Sequence, residues 1–178
     1  AALPYGSGTY GTCTYDTCGI SLTTSVTVNL SATPTTSGVN STAQDQVSVE
    51  TDASTGYTLT LLDADTDTDL DSSGDAIAAS SGTQASPVTL VMNTWGYRVD
   101  GLGGFGAGPT GTQNSYTNTL YTFAGVPGSN QRAHTLKTTS AAANPADTTS
   151  VWYGVRVDTT KPSGTYVDTV TYTAVTND

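Results

Sequence analysis

The chain has 178 residues and a formal net charge of −10, from 5 Lys and Arg against 15 Asp and Glu, with a single His. So acidic a chain excludes nucleic acid as a main partner, because neutralising phosphates takes clustered Lys and Arg, and one imidazole excludes His-rich metal chemistry. Ser and Thr total 55, with 19 Gly and 7 Pro, while helix formers are scarce, so the expected class is all-β.

Taken from the start, Ala1-Ala2-Leu3-Pro4 reads like a mature end left after signal cleavage at a small residue. Leu3 to Thr12 is rich in Tyr and Gly, including Tyr5 and Tyr10, and has no alternation of its own. Cys13 and Cys18 are the only cysteines and enclose four residues, a spacing that suits a small disulfide loop in a secreted protein. Residues 1–19 are therefore expected to form an extended segment outside the body of the protein.

From Ile20 to Ala32, apolar Ile20, Leu22, Val26, Val28 and Leu30 share one parity, the signature of a half-buried strand. At ~3.3 Å per residue it would reach roughly 43 Å, well beyond a typical strand. Either it bends near Thr23-Thr24-Ser25 and changes sheets, or half of it pairs with a neighbouring subunit. A second strand is expected from about Asp45 to Thr51, with Val47 and Val49 inward. Across a turn at Asp52 to Gly56 it should form a hairpin with the strand carrying Tyr57, Leu59 and Leu61.

An acidic loop, Asp63 to Asp75, precedes short apolar stretches at Ala76–Ala79 and Val88–Met92. Trp95, Tyr97 and Val99 then share a parity. Gly101 to Thr119 is a Gly-rich loop, long enough that it must be functional or pinned, with Phe105 as the pin. Short strands are expected at Leu120–Gly125 and Ala133–Thr139, and a linker at Ala141–Asp147. Val151, Tyr153, Val155 and Val157, and after a turn Tyr166, Val170, Tyr172 and Ala174, complete the pattern. About nine strands with no helical stripe predict one antiparallel β-sandwich over residues 20–178, Ig-like or jelly-roll-like. No apolar run approaches the ~20 residues that span a bilayer.

Several blocks carry a family resemblance: Ala2-Leu-Pro-Tyr-Gly-Ser-Gly-Thr-Tyr-Gly11, Ser54-Thr-Gly-Tyr-Thr-Leu-Thr-Leu61 and Asn93-Thr-Trp-Gly-Tyr-Arg-Val-Asp-Gly101. Thr122-Phe-Ala-Gly-Val-Pro127, Val151-Trp-Tyr-Gly-Val155 and Pro162-Ser-Gly-Thr-Tyr166 extend it over nearly the whole chain. Together they resemble secreted, Thr-rich β-sandwich surface proteins of candidate-phylum bacteria of the Saccharibacteria type. The resemblance implies a secreted or cell-surface location and a pilus- or adhesin-like role. It brings no catalytic motif.

Asp63, Asp65, Asp67, Asp69 and Asp71 alternate, and such a run repels itself unless it is solvated or bound to a cation. It is not an EF-hand, since Thr68 replaces the required Gly and Gly74 stands where the bidentate Glu belongs. The bland reading is a solvated acidic loop, and the sharper one is a looser Ca²⁺ site, the one cofactor the sequence suggests. His134 has no nucleophile motif beside it, and no catalytic residues are assigned. Trp152 and Tyr153 are neighbours on one strand, so a single core cannot bury both. One is expected to be exposed, as a glycan-stacking or interface residue, or covered by a partner. Lys137 or Lys161 could form an intramolecular isopeptide bond only beside a partner and a catalytic acid.

The expected function is non-enzymatic. It is a structural subunit of an extracellular filament or surface layer, a homopolymer assembled through Leu3, Tyr5, Tyr10 and the strand bearing Ile20, Leu22, Val26, Val28 and Leu30. The alternative is a monomeric adhesin or glycan-binding module with host-surface glycans or proteins as partners.

Overall fold

The computed structural model describes residues 19–178. Cys13, Cys18, Leu3, Tyr5 and Tyr10 lie outside the described residues. The described residues form twelve strands and no helix. These are β1 Ile20–Thr23, β2 Val39–Thr51, β3 Tyr57–Asp63, β4 Leu70–Ser72, β5 Asp75–Ala79 and β6 Val88–Thr89. They continue with β7 Thr94–Val99, β8 Gln113–Tyr116, β9 Thr122–Phe123, β10 His134–Thr138, β11 Ala143–Val157 and β12 Val170–Thr176. Seven strands build one sheet in the order β1-β2-β11-β7-β5-β4, with β8 paired to β2, while β10-β3-β12 forms a second sheet and β6-β9 a small third. The ladders are antiparallel except β5 with β7, which is parallel. The all-β expectation holds, but there are twelve strands rather than nine, and the large sheet is mixed.

The dominant feature is the β2–β11 ladder, in register from Val39↔Val157 to Val49↔Asp147, with Thr51↔Ala143 beyond a break. Alternation explains it. Val47, Val49, Val151, Tyr153, Val155 and Val157 all enter one core, with Trp95, Tyr97 and Val99 of β7. Tyr57, Leu59 and Leu61 of β3 enter the same core from the second sheet, and Tyr172 and Ala174 of β12 pack against it.

Three expectations fail for local reasons. The 45–51/57–61 hairpin does not form, because the turn at 52–56 carries the chain from the large sheet to the three-stranded one, where β3 pairs with β10 and β12. The Ala141–Asp147 linker is mostly strand, with Pro145 placed inside the register break, where a missing N–H costs no ladder bond.

The thirteen-residue first strand is likewise not continuous. β1 pairs with β2 through Ile20↔Thr51 to Thr23↔Ser48 and then stops. Ser25 N–H turns aside to Asp45 Oδ1 at 2.7 Å, and Val26 takes a positive φ of 66°. Val26 is thereby 91% exposed, while Leu22, Val28 and Leu30 keep their inward parity. The bend lies where the sequence suggested one, but it does not extend β1 as a strand, and within one chain it needs no partner.

Candidate functional site

β7 is buried along its whole length, so something must cover the face its odd residues do not use. The cover is the stretch from Asp100 to Val126, and two glycines admit it. Gly96 and Gly154 are register partners on β7 and β11. A Cβ on Gly154 would lie 2.4 Å from the Phe123 ring, and one on Gly96 would lie 2.4 Å from the Ala124 carbonyl. Ala124 and Tyr97 exchange backbone hydrogen bonds at 2.9 Å, continuing the edge of β7.

Arg98 fastens the same cover. Its guanidinium is fully buried and donates to Thr122 O at 3.2 Å, Phe105 O at 3.0 Å, Gly106 O at 3.1 Å and Asp100 Oδ1 at 3.1 Å. The Phe105 and Tyr121 rings flank it at 5.8 and 5.5 Å. Phe105 also meets Tyr97 edge-on, so it pins the Gly-rich loop as the sequence suggested.

This cover decides the aromatic question. Trp152 is 3% exposed and Tyr153 5% exposed. Tyr153 lies in the main core beside Trp95, and Trp152 is on the opposite face of β11, which the chain itself covers. The expectation that one of the pair faces solvent or a partner is therefore corrected: two faces of one strand are buried by two parts of one chain. They form no exposed stacking platform.

The acidic run is spent mainly on turns. Asp63, Asp65 and Asp67 each accept the N–H two residues on, at 3.0, 2.8 and 3.2 Å, and Asp69 Oδ1 accepts Ala79 N–H at 3.3 Å. Asp71 lies in β4 and exchanges backbone bonds with Val167. Asp65, Asp67 and Asp71 are exposed and Asp69 half-buried. Among the described residues no three His, Cys, Asp or Glu side chains gather into a metal-holding set, so the five aspartates do not converge as one loop site.

Asp63 differs from the others. It ends β3, is 1% exposed, and its Oδ2 accepts no hydrogen bond. Asp168, just before β12, lies against it, and the Asp168 Oδ2 is likewise buried and unpartnered. Burial pushes the Asp168 carboxyl up to about 7, the Asp63 and Asp65 carboxylates add to the rise, and the Thr169 N–H opposes it. Sequence reasoning missed Asp168. No local pattern marks it, and only the β3–β12 register, Asp63↔Val170, brings it to Asp63.

The other titratable groups have ordinary partners. His134 Nδ1 shares a 2.7 Å hydrogen bond with Tyr97 OH, and burial lowers the imidazole pKa. Lys137 meets Asp147 at 2.7 Å, with Tyr57 OH donating to the other oxygen of that carboxylate at 2.9 Å. Lys161 meets Asp75 at 2.8 Å, and Tyr166 OH reaches the same carboxylate. Against the effect of burial, the Lys137 and Tyr57 bonds hold Asp147 below the usual carboxylate range, and the Lys161 bond does the same for Asp75. Amide formation needs a protonated carboxyl and loses water, so these pairs are set as ion pairs.

Among the described residues several strands are bonded on one side only, among them β1 to β2, β12 to β3, β10 to β3 and β4 to β5. β1 and β12 lie near each other. Gly19 O accepts from Thr51 Oγ1 at 2.9 Å beside the corner at 52–56, and Asn177 is tied to Gly56 O at the same corner. No helix of the described residues is long and apolar enough to cross a membrane. Comparison with protein-family models, with curated proteins and with solved structures found no match to this chain.

Proposed function

We propose that the chain is a non-catalytic structural subunit of an extracellular filament or surface layer, a sandwich-like β-module that joins copies of itself along the β1 and β12 edges and through residues 1–19. The observation that carries this reading is the chemistry of those edges. An open edge is a row of unpaired N–H and C=O groups, which monomeric proteins defend with Lys, Pro or a bulge. β10 has both Lys137 and a register shift. β1 (Ile-Ser-Leu-Thr) and β12 (Val-Thr-Tyr-Thr-Ala-Val-Thr) carry no charge and no Pro. Val175 on β12 is 52% exposed, and β1 continues directly from residues 1–19. Undefended edges of this kind suit strand addition by a neighbour, where backbone bonds give affinity and alternate side chains give register.

The sequence resemblance to surface proteins of the Saccharibacteria type agrees with a secreted, cell-surface place for such a module. Buried Trp152 and Tyr153 take away the platform on which a glycan-binding alternative depended. The test is a charge on the free edge. Val175→Lys points a cation out of β12 and should leave the fold within about 0.5 kcal/mol of wild type. It should also shift the protein from polymer to monomer in sedimentation velocity. Polymers of unchanged size would sink the edge-pairing reading.

A further inference from the structure

Independently of assembly, we infer that Asp63 and Asp168 form a calcium site joining the end of β3 to the start of β12. Asp63 Oδ2 and Asp168 Oδ2 are buried with no N–H or hydroxyl donor, the two carboxyl groups lie within hydrogen-bonding reach of each other, and Asp63 is 1% exposed. A buried anionic oxygen without a donor is costly, and two together repel, so the arrangement calls for a positive partner. None of the five Lys and Arg forms an ion pair with either carboxylate: Lys137 is bound to Asp147, Lys161 to Asp75, Arg98 to Asp100 and Arg156 to Leu90 O, while Arg132, which follows the β10 register toward Asp63, is exposed and makes no salt bridge.

Both candidate ligands are carboxylates, which fits a hard cation. The Asp65 carboxylate adds negative charge at the same place. Three irregular segments meet there and are laced together by backbone bonds, Asp63 N–H to Pro127 O, Ala64 N–H to Thr169 O and Ser129 N–H to Asp65 O. Ca²⁺ accepts such irregular geometry and water-completed shells, whereas Mg²⁺ demands a near-ideal octahedron. The ligands are thus a pair distant in sequence, and the exposed Asp67 and Asp71 are bystanders.

The test is calcium titration of the full chain, by calorimetry and by thermal melts in chelator and in Ca²⁺. The wild type should bind one Ca²⁺ at this site. At a concentration about 100 times Kd its Tm should rise by about 5–10 °C. Asp67→Asn should keep both signals. Asp168→Asn should lose both. Its amide can donate to Asp63 Oδ2, so that variant stays folded and loss of binding is not loss of structure. A wild type with no heat and no Tm shift at on the order of 10 mM Ca²⁺, well above the range of extracellular calcium modules, would overturn the inference and leave a carboxyl pair that shares a proton. Binding that survives in Asp168→Asn would overturn it equally and move the cation to the exposed aspartates.

Discussion

Arg98 shows how much one buried side chain can organise. Four hydrogen bonds fan from its guanidinium to Asp100, Phe105, Gly106 and Thr122, so it gathers the Gly-rich loop after β7 and the start of β9 onto β7. Arg98→Ala removes those donors together and takes the guanidinium from Phe105 O and Thr122 O, while Gly106 O keeps the Gly101 N–H at 3.0 Å. It should cost about 3 kcal/mol, most of it the desolvation of oxygens left unpaired. For a chain of this size that lowers Tm by about 6–12 °C in a thermal melt. A loss near 1 °C would show that the loop is held by Phe105 packing alone. Phe105 was legible in the sequence as an isolated apolar residue among glycines. Arg98 was not, because in a period-2 pattern it occupies an outward position, and only the covering segment makes that position interior.

At the scale of elements, the cross-strand glycines Gly96 and Gly154 decide whether the sheet has one buried face or two. With no Cβ at either, Phe123 and Ala124 lie directly on β7 and β11. Gly154→Ala places a methyl inside the Phe123 ring and should cost about 1–3 kcal/mol by overpacking. In a Phe123→Leu background the same change should cost less, and the two substitutions should couple in a double-mutant cycle of chemical denaturation. Strict additivity would show that Phe123 does not rest on Gly154.

The strands themselves were readable wherever alternation was strong. Val47 and Val49, Tyr57 to Leu61, Trp95 to Val99 and Val151 to Val157 all place their apolar parity in the core as the pattern implies. Partners were less readable. The turn at 52–56 has the composition of a hairpin turn, and nothing local says that it changes sheets. Alternation from Ile20 to Leu30 reads as one strand because parity survives a kink. Ser25 and Val26 interrupt the ladder and the positions on either side resume the same face.

For the whole molecule, the two long strands β2 and β11 form the central ladder of the large sheet, and residues distant in the chain also meet at the two ends of β3. The 52–56 corner holds Gly19 and Asn177, while the opposite end of β3 holds Asp63 and Asp168. Sequence could supply the acidic run but not its buried partner, because Asp168 is placed by the β3–β12 register across more than half the chain. The same layout bears on the proposed assembly. Gly19 stands at the 52–56 corner, and β1, which follows it, lies near β12. A head-to-tail contact made there and not closed on itself yields a filament.

The most direct measurement is negative-stain electron microscopy of the full chain beside a variant lacking residues 1–19, with far-UV circular dichroism to confirm that the variant keeps its β-structure. Regular filaments one subunit wide from the full chain, and dispersed folded particles from the truncated one, are the predicted result. Dispersed particles from both, or equal filaments from both, would contradict the account.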